Sequence, residues 1–245
     1  MRTRIRSLVV TVAAVLLPQA VWAQSISVDL GNDGTVTGQI VRLVLLVTVL
    51  SLAPSILVMV TSFTRVVIVL SFLRTALGLQ QTPPNAVLVS LAMFLTLFIM
   101  TPTMEQAWKD GIAPLIAEEI DEATAFERAS EPFRTFMLAQ VRDKDLRLFY
   151  DIADLQPTAT AQEAPLRVLV PAFMISELRR AFEIGFLVFV PFLVLDMVVA
   201  SVLMSMGMMM LPPVIMSLPF KLVFFVLVDG WYLVVGSLVE SFNPV

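Results

Sequence analysis

Neither cysteine nor histidine occurs anywhere in the 245 residues. Without cysteine there is no disulfide framework, thiolate nucleophile or iron–sulfur ligation. Without histidine there is no imidazole base, no Ser-His-Asp or Cys-His constellation, and no His-ligated metal or haem. Charge is scarce as well: 15% of residues are charged and 58% are hydrophobic. A soluble domain usually carries about 25% charged residues. The apolar residues also come in long blocks rather than on periodic stripes. Most hydrolytic and redox chemistry is excluded, and the composition is that of a membrane protein. No cofactor is expected.

The amino terminus has the order of a secretory signal. Arg2, Arg4 and Arg6 precede an apolar stretch from Leu8 to Leu17, and Val21-Trp22-Ala23 supplies small residues at a cleavage site. Ten apolar residues fall short of the roughly 20 that span a bilayer. Residues 1–23 are therefore read as a signal peptide, and 24–39 as a polar lead-in. Removing 1–23 leaves 13 basic against 20 acidic side chains, a net of −7.

Four apolar blocks follow, at about Ile40–Val60, Ala86–Met104, Ile184–Ser205 and Val214–Val239, each long enough to cross a membrane as a helix. Between the second and third lies a segment of different character, 105–183, with 15 acidic and 9 basic residues. Within it Leu146, Phe149, Ile152 and Leu155 recur at helical spacing and predict one apolar face. Pro114, Pro132, Pro157, Pro165 and Pro171 are expected to divide it into short helices. The predicted fold is all-α and membrane-associated. A first hydrophobic hairpin (40–104) and a second (184–245) flank a soluble helical insert (105–183).

Arg65 and Arg74 fall in the loop between the first two blocks, and no acid occurs from Thr35 to Met104. The positive-inside rule puts 61–85 on the cytoplasmic side and the net-negative insert outside, in agreement with the signal peptide. Each hairpin's second arm is preceded by a proline pair, Pro83-Pro84 and Pro212-Pro213. Proline loses no hydrogen bond in the first helical turn, and Thr82 is an expected N-cap.

Asp196, Lys221 and Asp229 are the only charges between Glu183 and Glu240. A charge at the bilayer centre costs roughly 2.5–3.5 kcal/mol or more, so these three should face protein or water. Asp196 and Lys221 lie on adjacent arms, which allows a pair within or between subunits; the alternative is an interfacial position with Lys221 snorkelling. An aspartic dyad of Asp196 and Asp229 is the one enzymatic reading the composition leaves, but no glycine-containing positioning loop surrounds either residue. The chain is read as a non-enzyme.

Methionine is concentrated: seven of 14 lie between Met197 and Met216. Gly207 and Pro212-Pro213 make Met208, Met209 and Met210 part of a turn rather than a helix interior. The plain reading is packing against neighbours or lipid. The sharper one is a ring of such turns closing a pore, because hydrophobic constrictions gate by dewetting and the thioether chain deforms around a passing polypeptide.

Thr64-Arg65-Val66-Val67-Ile68-Val69-Leu70-Ser71-Phe72-Leu73-Arg74, followed by Gly78-Leu79-Gln80-Gln81-Thr82-Pro83-Pro84-Asn85, resembles the signature of the FliP family, export-gate proteins of bacterial flagellar type III secretion. Asp196 to Ser201, Met208 to Pro213, Pro219-Phe220-Lys221 and Asp229-Gly230-Trp231 are similar to the family's second signature region. The resemblance spans essentially the whole mature chain.

That resemblance implies a homo-oligomer, a pentamer, joined by FliQ and FliR into a closed helical ring that is lifted toward the periplasm. FlhA and FlhB are implied neighbours, FliO an assembly helper, and unfolded flagellar proteins the cargo. The implied location is the inner membrane and its periplasmic side, in the flagellar basal body. The family's gasket maps onto Met208, Met209 and Met210, and family subunit contacts onto Phe136, Phe149 and Glu177. The plainer alternatives are core packing for the two phenylalanines and a surface pair of Glu177 with Arg180 at i, i+3. The sequence holds neither a phosphate-binding Gly-rich loop nor a basic nucleic-acid patch. The rival function is a small secondary transporter with a soluble external domain, although three isolated charges offer little of a substrate site.

Overall fold

The computed structural model describes residues 36–158, 160–208 and 210–242. The expected signal peptide (1–23), most of the expected lead-in and Met209 lie outside the described residues. The chain divides into two units, 1–51 and 52–245. Helix α1, Val36–Met59, begins in the first. The other helices belong to the second: α2 Phe63–Ala76, α3 Asn85–Ala107, α4 Ala113–Ile116, α5 Glu122–Gln140, α6 Asp143–Ile152, α7 Leu166–Ser205, α8 Pro213–Leu227 and α9 Gly230–Glu240. A π-helical turn, Trp108–Ile112, joins α3 to α4, and no strand occurs among the described residues. The all-α expectation holds.

By length and composition, two described helical runs can cross a membrane: Asn85–Ile116 and Leu166–Ser205, with mean hydropathy of 2.0 and 2.6. The fourth apolar block is not straight. It bends by 64° between α8 and α9, so that the two together form at most one broken span. The bend centres on Asp229, whose backbone is left-handed at φ 51°. Aspartate tolerates that conformation better than most residues, and Gly230 follows it for a packing reason. A Cβ on Gly230 would lie 2.1 Å from the Phe225 ring.

Both tight turns end their first helix in the same way. In α7 the N–H of Met208 donates to Leu203 O and that of Gly207 to Met204 O, with Gly207 at φ 73°. In α2 the N–H of Leu79 donates to Arg74 O and that of Gly78 to Thr75 O, with Gly78 at φ 76°. This paired bonding satisfies the last carbonyls of a helix and needs a left-handed residue, which glycine adopts without strain. Pro84 and Pro212 then occupy the N-cap positions of α3 and α8, and Thr82 is not a cap.

Several expectations are corrected. Pro132 and Pro171 do not break the insert; they lie inside α5 and α7. Each frees one carbonyl, that of residue 128 or 167, and both residues are exposed, where water can replace the lost bond. The change from charged to apolar composition near residue 184 is not a structural boundary, because α7 runs through it for 40 residues. Leu146 and Phe149 of α6, and Leu155 just beyond its end, do pack around buried Tyr150, Ala164 and Val168, whereas Ile152 faces outward.

The largest correction concerns 61–85. It is not a loop but mostly α2, which runs parallel to α7. Arg65 meets Glu177, Phe72 meets the Phe182 ring at 5.1 Å, and Leu73 and Ala76 pack beside Phe192. Arg65 thus lies at the insert end of α2 and Arg74 at the other, so the two cannot be counted together as one cytoplasmic loop. Val66, Val69 and Leu70 of α2 pack with Leu88, Ala92 and Leu95 of α3 and with Ala181 and Leu238 to make the central core. Each fully buried side chain of this size contributes about 1.5–3 kcal/mol.

Candidate functional site

The methionine turn stands at the tip of the α7–α8 hairpin. Met210 is 98% exposed and Met206 63%, and Met204 and Met208 are also exposed. Leu211, Val214 and Ile215 continue this apolar surface. An unbranched thioether can reshape itself against whatever it meets. Among the described residues nothing covers these side chains, while the backbone beneath them is fixed by the Gly207 stop and the Pro212-Pro213 start. The structure therefore presents soft apolar side chains on a firm turn.

Below the turn, Asp196 of α7 and Lys221 of α8 do pair, with Lys221 Nζ 2.7 Å from Asp196 Oδ2. Lys221 Nζ also donates to Ala76 O, 3.2 Å away, at the last residue of α2. That carbonyl has no intrahelical donor, and the negative end of the helix dipole favours a cation there. Ser217 Oγ donates to Asp196 Oδ1, filling the carboxylate's other oxygen. Three helices are thereby tied at one point. Asp229 takes no part, so the two aspartates do not form a dyad within the chain.

A second buried couple lies at the opposite end of α2. Arg65 and Glu177 are both 0% exposed. Arg65 Nε donates to Glu177 Oε2 at 2.8 Å and Nη2 donates to Oε1, a two-pronged pairing that suits guanidinium and carboxylate geometry. Arg65 Nη2 also donates to Gln140 Oε1, and Nη1 to Ser241 O and Oγ, each at 3.0 Å. The Phe242 ring lies 3.7 Å from the guanidinium carbon, close enough for a cation–π contact. Gln140 Nε2 donates in turn to Phe242 O. Four elements (α2, α5, α7 and the end of α9) converge on this arginine.

The plainer alternative for Glu177, a surface pair with Arg180, is therefore not formed. Glu177 turns inward to Arg65, and Arg180 donates to Gln140 Oε1 at 3.0 Å. Phe136 packs edge-on to Phe173 at 5.9 Å and stacks with Phe242 at 6.1 Å. Phe149 is half-buried beside Tyr150. In this chain both phenylalanines are core-packing residues with one side left accessible.

A third polar couple fastens α6 to α7. Ser176 Oγ and Arg142 Nε both donate to Asp145 Oδ2, at 2.6 and 2.7 Å. Burial opposes the charged form of Asp145, but the Ser176 hydroxyl and Arg142 outweigh it and hold its pKa below the ordinary aspartate value.

Sequence reasoning allowed a pair of Asp196 with Lys221, within or between subunits, but missed Arg65, Gln140 and Ser217. One signal for Arg65 was available: a lone cation opening the run Val66 to Leu70 needs a buried partner as much as Lys221 does.

Comparison with known proteins covers both signature regions and the insert between them. The family model described as the FliP family matches residues 46–238. The chain is 59% identical over 243 residues to the flagellar biosynthetic protein FliP of Caulobacter vibrioides, spanning 99% of this chain and 91% of that one. It is 55% identical over 244 residues to the Agrobacterium fabrum protein of that name, spanning 98% and 100%. With the Bacillus subtilis protein it shares 54% over 217 residues, spanning 89% and 98%. The chain belongs to the FliP family.

Proposed function

We propose that the chain is a subunit of a gated conduit in the flagellar type III export apparatus, through which unfolded flagellar proteins pass. Copies assemble as a closed ring, a pentamer, with FliQ and FliR. FlhA and FlhB adjoin it, and FliO assists assembly. The complex sits at the inner membrane and on its periplasmic side. The conduit performs no chemistry of its own.

One observation carries this reading: the tip formed by Met206, Met208, Met210 and Leu211 is exposed in the single chain yet held on a defined turn. A ring of such tips places apolar, deformable side chains against one another across an axis. They exclude water and ions when idle and yield to a chain in transit. Met208, Met209 and Met210 form the gasket. The Asp196–Lys221 pair holds the hairpin beneath it in register with α2. Phe136 and Phe149 offer their accessible sides to subunit contacts, whereas Glu177, enclosed by Arg65, acts on those contacts by fixing the insert.

Native mass spectrometry of the purified chain, alone and co-expressed with FliQ and FliR, tests the proposal. A homo-oligomeric ring supports it. A monomer that carries small solutes into liposomes by itself identifies a transporter instead.

A further inference from the structure

The bend at Asp229 has surroundings unlike those of the other two charges in the second hairpin. Among the described residues Asp229 has no ion-pair partner, and its side chain does not cap α9. It is exposed on an apolar knuckle: Val226, Leu227 and Tyr232 beside it are 75%, 79% and 75% exposed. The knuckle is not a loose loop. Gly230 is packed against Phe225, and the Phe225 ring meets Trp231 edge-on at 5.5 Å and packs near Phe192. The backbone at Asp229 is left-handed, with φ 51°. Lipid over this surface would leave a carboxylate without a partner, at a cost that intramembrane acids normally avoid by pairing.

The complementary group is on the same chain but elsewhere. Arg65 and Lys221 have carboxylate partners. Arg74, at the far end of α2, has none among the described residues: its Nη1 donates to Asn85 Oδ1 at 2.6 Å and to Pro83 O at 3.3 Å, both uncharged. Arg74 and Asp229 form no ion pair within the chain. In a ring of identical subunits each contact joins two different faces, so an unpaired acid on one face and an unpaired base on another can meet around the whole circle.

We infer that the knuckle at Asp229 is a docking point for a second copy of the chain, whose Arg74 pairs with the carboxylate. The inference rests on the ring proposed above. Because the chain has no cysteine, a paired substitution reports the contact directly. In the assembled complex, Asp229→Cys combined with Arg74→Cys should give covalently linked copies on oxidation, while either substitution alone should not. Separately, Asp229→Arg or Arg74→Asp should each lower recovery of the oligomer by at least about tenfold, the scale of like charges meeting at an interface, and the two together should restore it. Asn85→Ala, which removes only the local bond of Arg74, should leave the oligomer intact. If the unaltered chain forms no homo-oligomer, the ring itself is wrong. If the oligomer persists but no cross-link forms, or if the reversals fail to rescue one another, the docking contact is wrong and the ring stands.

Discussion

Two buried ion pairs among the described residues hold the same helix, α2, at its opposite ends, and they are built differently. At the insert end both side chains are fully enclosed, and the arginine has Glu177, Gln140, Ser241 and the Phe242 ring for partners. At the methionine end the lysine side chain is 4% exposed and the aspartate 20%, with only Ser217 and one carbonyl completing the set. An enclosed charge with every partner supplied internally is a fastener. A pair with one open wall, beneath an apolar turn that no described residue covers, borders a surface that the proposed ring would complete. The difference fits a division of labour: the insert end holds the subunit together, and in the proposed ring assembly would finish the hairpin end.

The largest expected effect comes from breaking the enclosed pair. Arg65→Ala leaves Glu177 buried without a cation and should cost about 3–5 kcal/mol. Thermal unfolding in detergent should show a large loss of stability, and recovery of folded protein should fall with it. The same experiment on Lys221→Ala should cost less, about 2–3 kcal/mol, because Asp196 keeps the Ser217 donor and reaches solvent. Asp196→Ala and Lys221→Ala should each yield folded subunits that assemble or secrete poorly. Equal loss of fold at both ends would erase the contrast, and normal secretion by both hairpin variants would make that pair an accident of position.

A smaller effect is expected from the third couple. The Asp145 carboxylate titrates below its unfolded value, so its contribution is present above the ordinary aspartate range, near about pH 4, and is lost as pH falls through the lower native value. Asp145→Asn should therefore destabilise the fold at neutral pH by less than about 1 kcal/mol, read as a small drop in melting temperature. The gap to the unaltered chain should close toward acid. A gap constant across that range would mean that the Ser176 and Arg142 contacts do not depend on the charge.

What was legible in the sequence follows from how local each feature is. The methionine turn was readable because its glycine stop and proline start act within a few residues. The Asp196–Lys221 pair was readable because a short hairpin joins its two arms. The partner of Arg65 was not, since Glu177 lies 112 residues away and only the packing of α2 along α7 brings them together. Composition also misled where it changed without a break, as along α7. Conversely, Asp229-Gly230 carried a turn signal inside an apolar run, and hydropathy averaged over the run concealed the 64° bend. Ile152 fitted the helical spacing yet faces outward, while Tyr150 takes the buried place. A phenol can be buried when its hydroxyl has a partner, here Thr158 Oγ1 at 2.9 Å.

If the methionine turn seals the conduit, the ion conductance of a bilayer containing the purified, assembled complex depends on it. Replacing Met208, Met209 and Met210 together by alanine should leave assembly intact and raise the resting ion leak well above that of the unaltered complex. An assembled complex with unchanged conductance would contradict the gasket.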